Sequence, residues 1–105
     1  AGVRIVSGDD YGTGYLAHGE YAKEHEYYVK EAGIDALEVL RWATRNGAQA
    51  MGRGDDLGTI EVGKLADLVV VDGDPVADIA CLQDPARIKA VLQEGVFSKD
   101  LLAEA

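Results

Sequence analysis

The chain has 105 residues, 48 % of them hydrophobic, which allows one domain with a real core and excludes a disordered tail. Its formal net charge of −9 disfavours nucleic acid and anionic membranes as partners, because a phosphate-binding surface needs excess Lys and Arg. The single cysteine, Cys81, excludes an intramolecular disulfide and favours a reducing, cytoplasmic compartment. No run approaches the ~18 apolar residues of a membrane span. No basic stretch leads into an apolar one at the start, so no secretory leader is expected.

The chain opens on Ala1-Gly2-Val3-Arg4-Ile5-Val6 without a methionine and inside an apolar run, which reads as part of a longer polypeptide. Val3 to Ser7 is β-branched and ends at Gly8, the pattern of a short strand. Gly8 to Gly19 is a glycine-rich loop. Tyr21, Ala22, His25, Tyr28, Val29 and Ala32 then recur at helical spacing, with Glu20, Lys23, Glu24, Glu26, Lys30 and Glu31 on the other faces. Gly33 is the expected stop. A second helix starts at Asp35, with Glu38 three residues on as in a capping box. Its inner face is expected at Leu37, Leu40, Ala43 and Thr44, and a further turn runs from Asn46 to Met51.

The texture changes after Gly52. Arg53 to Asp56 reads as a solvated loop and Gly58 to Lys64 as glycine-bounded turns. Leu68 to Val71 reads as a buried strand and Asp78 to Leu82 as a helical turn. Ile88 to Gln93 and Val96 to Ser98 form a hairpin about Glu94-Gly95. Asp100 to Ala105 reads as a fraying tail.

Four blocks, in this order, resemble the C-terminal part of the amidohydrolase superfamily. They are Gly2-Val3-Arg4-Ile5-Val6-Ser7-Gly8-Asp9-Asp10-Tyr11-Gly12, His18-Gly19-Glu20-Tyr21-Ala22-Lys23-Glu24, Glu38 to Ala48, and the most specific, Gly58-Thr59-Ile60-Glu61-Val62-Gly63-Lys64-Leu65-Ala66-Asp67-Leu68-Val69-Val70-Val71-Asp72. The His18 block looks most like the branch of imidazolonepropionase-like enzymes and Xaa-Pro dipeptidases. The resemblance implies an α/β fold: the C-terminal fragment of a (β/α)₈ TIM-type barrel plus the C-terminal strands of an adjoining small β-sandwich. Residues 1–52 would supply the last barrel strand (Val3 to Ser7), the active-site loop and the outer helices. Residues 53–105 would supply the sandwich strands.

The implied chemistry is hydrolysis of an amide or other C–N bond, in a dipeptide or an N-acyl amino acid, by a metal-activated water. Barrel sites are built where strands end and loops begin. The resemblance makes Asp10 a metal ligand and the general acid/base, and puts Tyr11, Gly12 and His18 over the substrate. Asp9 stands where the family usually has Thr or Ser. The cofactor would be a divalent metal, zinc, as one or two ions. A catalytic zinc wants three protein ligands, so the others would lie outside this chain and the fragment alone would be inactive. The expected partners are a small-molecule or peptide substrate and the rest of the barrel, with homo-oligomer formation left open.

Blander readings stand beside these. Asp9-Asp10 also reads as a strand-to-helix turn with two solvated acids. His18 also reads as loop filler, His25 as packing, and Asp67 as a turn-setting residue. Trp42 reads as an anchor between helix and sandwich, and Cys81 as inert. Two rival functions remain: a non-catalytic small α/β binding or oligomerisation module, and a deaminase of the same superfamily.

Overall fold

A computed structural model describes residues 2–8 and 20–104. The helices come first: α1 (Lys23–Lys30), α2 (Ala36–Arg41), a π-helical turn (Trp42–Asn46) and α3 (Gly47–Ala50). Strands follow: β1 (Leu68–Val71), a 3₁₀ turn (Ile79–Gln83), β2 (Ile88–Gln93), β3 (Val96–Asp100) and a last 3₁₀ turn (Leu102–Glu104). The class is α/β, as the sequence suggests.

Local chemistry explains most boundaries. Asp35 accepts from the Leu37 N–H at 2.9 Å and caps α2. The expected reciprocal bond from Glu38 does not form, because that carboxylate is engaged by Arg41 at 3.0 Å and by Trp42 Nε1 at 3.2 Å. Past α1, the Ile34 N–H reaches back to the Tyr28 carbonyl at 3.0 Å, and Gly33 ends the helix as expected. Asp78 accepts from the Ala80 N–H at 3.1 Å and starts the turn read there from sequence.

The sheet has the order β1-β2-β3, antiparallel throughout. Leu68 faces Leu92 and Val70 faces Ala90 on one side, while Leu92 faces Phe97 and Ala90 faces Asp100 on the other. Both ladders carry a register shift, between Val70 and Val71 and between Val91 and Leu92. The hairpin turn is the expected Glu94-Gly95, with both residues at positive φ (50° and 81°), which matches the twist of the paired strands. Asp67 locks it from a distance, accepting from the Glu94 N–H at 2.8 Å, so it does set a turn.

Four expectations change. Val3 to Ser7 joins no strand ladder among the described residues, because a strand needs a neighbour to take its backbone groups. The inner face of α2 and its continuation is Val39, Trp42, Asn46 and Ala48, a rotation away from Leu37, Ala43 and Thr44. β1 lies at the sheet edge, and Val69 and Val70 remain 57 % and 40 % exposed. The tail closes in a 3₁₀ turn at Leu102–Glu104, with the Leu101 N–H donating to the Lys89 carbonyl at 2.7 Å.

The loop between helices and sheet is tied by Lys64. Its ammonium donates to the Gly54 carbonyl at 2.8 Å, to Thr59 Oγ1 at 2.6 Å and to the Leu57 carbonyl at 3.4 Å, and pairs with Glu61 at 3.0 Å. These bonds give the Gly58 to Lys64 block a structural reason. The Thr59 hydroxyl and Lys64 also hold the Glu61 carboxyl below its ordinary pKa.

Candidate functional site

The residues read from sequence as the site, Asp10, Tyr11, Gly12 and His18, lie outside the described residues, as does Asp9. The structure does describe what holds the chain leading to them. Residues 2–8 lie against the helices through two long-range bonds. Asn46 Nδ2 donates to the Ile5 carbonyl at 2.8 Å, across 41 residues of sequence. The Gly8 N–H donates to Glu24 Oε1 at 3.3 Å. Gly8 is two residues ahead of Asp10.

Both side chains are buried: Glu24 is 7 % exposed and Asn46 5 %. Burying a carboxylate is costly unless donors surround it. The Tyr28 hydroxyl supplies a second donor to Glu24 Oε1. Tyr28 is set in turn by Trp42, whose ring meets it edge-on with centroids 5.3 Å apart and planes at 76°. Trp42 therefore anchors helix to helix at this contact. The π-helical turn places Trp42 and Asn46, four apart, on one buried face.

Hydrogen bonding around this segment is not closed by the described residues. Ser7 Oγ, Glu24 Oε2, His25 Nδ1 and Asn46 Oδ1 are buried without a partner among them. Such an atom costs about 1–3 kcal/mol when left unpaired. Burial lowers the His25 pKa below its ordinary 6.5, and the neighbouring Glu24 carboxylate opposes part of that shift.

Glu24 and Asn46 are what the sequence reading missed. Glu24 sat among charged residues and read as part of a solvated face. Asn46 read as the start of a helical turn. The available signal was that both fall in blocks that carry the family resemblance.

Among the described residues, no group of three or more His, Cys, Asp or Glu could hold a metal. No helix there is long and apolar enough to cross a membrane. Open clefts lie among the described residues. One of about 460 Å³ is lined by Glu20, Lys23, Leu82, Pro85 and Lys99. Another, of about 420 Å³, is lined by Ala43, Leu57, Ile60, Leu65 and Val69. Neither is lined by Gly8 or Glu24.

The amidohydrolase family matches residues 1–97. The structure of a Xaa-Pro dipeptidase with bound methionine in its active site superposes on 93 % of this chain and 23 % of its own, with 38 % identity and a TM-score of 0.84. Ochratoxinase of Aspergillus niger is 31 % identical over 100 residues, covering 94 % of this chain and 20 % of its own length. Imidazolonepropionase of Aromatoleum aromaticum is 58 % identical over 46 residues, 44 % of this chain and 11 % of its own length. The chain belongs to the amidohydrolase family and is similar to its imidazolonepropionase and Xaa-Pro dipeptidase members. It spans a fifth or less of the length of these curated relatives.

Proposed function

We propose that this chain is the C-terminal portion of a metal-dependent amidohydrolase that hydrolyses an amide or other C–N bond in a dipeptide or an N-acyl amino acid. The observation that carries this reading is the superposition on the Xaa-Pro dipeptidase over 93 % of the chain. In this reading Val3 to Ser7 is the last strand of a (β/α)₈ barrel, whose ladder partners come from the preceding sequence. Residues 1–52 complete the barrel and residues 53–105 contribute strands to a small β-sandwich. The exposure of Val3 (81 %), Ile5 (45 %) and Val6 (41 %) supports a segment meant to be covered by neighbouring strands.

The described residues do not themselves fit a metal, so the ligand set is assigned to Asp10 together with residues outside this chain. A divalent ion bound there, zinc in this proposal, would supply a Lewis acid that lowers the pKa of a bound water toward ~7. Asp10 is the ligand that this chain contributes. Its carboxylate would serve as the general acid/base, accepting a proton from the attacking water and donating one to the leaving nitrogen. Tyr11, Gly12 and His18 border the substrate.

The test uses the longer polypeptide that carries this chain. Purified with metal, it is offered a panel of Xaa-Pro and other dipeptides and N-acyl amino acids, and release of the free amino acid is followed chromatographically. Hydrolysis by the native protein and its loss, by 10³-fold or more, in Asp10→Asn with an unchanged circular-dichroism spectrum is the expected result. An Asp10→Asn protein that turns over within tenfold of the native one refutes the role given to Asp10.

A further inference from the structure

The Gly58 to Lys64 block belongs to the most specific motif of the sequence, and the chemistry proposed above makes no use of it. What the loop builds is a ring of oxygens around one nitrogen. The Lys64 ammonium donates to Thr59 Oγ1 at 2.6 Å, to the Gly54 carbonyl at 2.8 Å and to the Leu57 carbonyl at 3.4 Å. The Glu61 carboxylate stands beside it at 3.0 Å. An ammonium has three N–H donors and no acceptor. Three neutral oxygens take those donors here, and the carboxylate offsets the charge.

The ring is set for a cation by bonds that do not involve the lysine side chain. The Asp56 and Leu57 N–H groups both donate to the Arg53 carbonyl, at 3.1 and 2.9 Å, and the Leu65 N–H donates to the Asp56 carbonyl at 2.9 Å. Gly58 lies so close to Ala48 that no side chain fits between them, which holds the loop against the helical segment. Among the described residues, neither the Gly54 nor the Leu57 carbonyl accepts from a backbone N–H. Carbonyls that converge in this way need a donor or a positive charge between them. The Thr59 hydroxyl gives its one hydrogen to Glu61 and so turns its lone pairs toward the ammonium. The Lys64 side chain is only 14 % exposed, so the ring, rather than water, solvates its charge.

We infer that residues 54–61 form a binding site for a primary ammonium ion, and that its occupant is the chain's own Lys64, acting as a tethered ligand that closes the loop between helices and sheet. The tether gives the ammonium a high effective concentration, so the site fills without a free partner. Once the tether is removed, a free primary alkylammonium takes the same place. A guanidinium does not, because its planar fork cannot present three donors to a ring around a single nitrogen. The inference is independent of the hydrolytic reading and stands on described residues alone.

The experiment uses the longer polypeptide, native and as Lys64→Ala. That substitution keeps Cβ and removes the remaining carbons and the nitrogen, which are the heavy atoms of n-propylammonium. The readout is local: backbone hydrogen exchange of the peptide spanning residues 53–65, by mass spectrometry, with the β2–β3 hairpin as internal reference. Exchange in the loop should quicken tenfold or more in Lys64→Ala. About 0.1 M n-propylammonium chloride should return it to within threefold of native, and saturably, as mass action on a bound ligand requires. Tetramethylammonium chloride at the same concentration carries the charge without an N–H and should leave exchange fast. Thr59→Val added to Lys64→Ala removes one oxygen of the ring and should raise the half-effective n-propylammonium concentration threefold or more. An equal response to the two ions, or no response to either, overturns the inference. So does a half-effective concentration that Thr59→Val leaves unmoved. Where Lys64→Ala does not fold by itself, the yield of folded protein on refolding from urea in each salt takes the place of exchange. A yield at least threefold higher in n-propylammonium is then expected, and equal yields overturn the inference.

Discussion

Gly58 is the position where a single added methyl group tests the fold most sharply. It sits at φ +94°, where L side chains are strained, and packs directly onto the helical segment. A Cβ there would come within 2.7 Å of Ala48 Cβ, 3.0 Å of Arg45 Cα and 3.1 Å of the Thr44 carbonyl oxygen. Two of these three neighbours are backbone atoms and the third is a Cβ, so none is the movable end of a long side chain. The left-handed backbone costs about 1–2 kcal/mol for a residue with a Cβ. Overpacking at a close contact costs about 1–3 kcal/mol more. Gly58→Ala should therefore lose about 2–5 kcal/mol, larger than the typical point substitution of about 1 kcal/mol. The measurement is urea unfolding followed by circular dichroism, in the native background and in Ala48→Gly. Removing the Ala48 methyl takes away the shortest contact, so Gly58→Ala should cost about 1 kcal/mol less or better there, a coupling of the size seen for residues in contact. A loss below about 0.5 kcal/mol, within the range of ordinary surface changes, would refute the packing argument. An equal loss in both backgrounds would refute the assignment of the strain to Ala48.

Lys64→Met should destabilise by about 2–3 kcal/mol, because the Gly54 carbonyl and the Thr59 hydroxyl lose a charged donor while Lys64 is only 14 % exposed. Chemical denaturation checks it, and a change within 0.5 kcal/mol would show that the loop is held by something else. For His25 the sign follows from burial. The folded state holds the neutral ring to lower pH than the unfolded chain does. The unfolded state therefore binds more protons as pH falls below about 6.5, and stability should drop through that window. His25→Leu should flatten this part of the profile between pH 7.5 and 5.5. Urea midpoints at the two pH values decide it, and an equal drop in native and variant proteins would contradict the assignment.

Much of the second half was legible from local chemistry. The β-branched run Leu68 to Val71, the alternation from Ile88 to Gln93 and the Glu94-Gly95 turn each carry their structure within a few residues, so the hairpin appears where the sequence puts it. Asp35 and Asp78 were equally readable, since an N-terminal cap acts only two residues ahead. The family is also a property of the sequence: its blocks span the chain and place it among the amidohydrolases. The faces of the helices were not readable in this way. Glu24, charged and set among other charges, is buried because Gly8 and Tyr28 offer it donors. Asn46 points inward because the Ile5 carbonyl, 41 residues earlier, needs a partner. Lys64 is drawn in by carbonyls of the loop before it. Such residues satisfy backbone groups that only tertiary packing brings near. Periodicity counts apolar side chains and carries no record of which distant amide or carbonyl will be left without a bond. The segment Val3 to Ser7 shows the same limit from the other side. Its composition is that of a strand, but a ladder is a relation between two segments, and no described segment supplies the second.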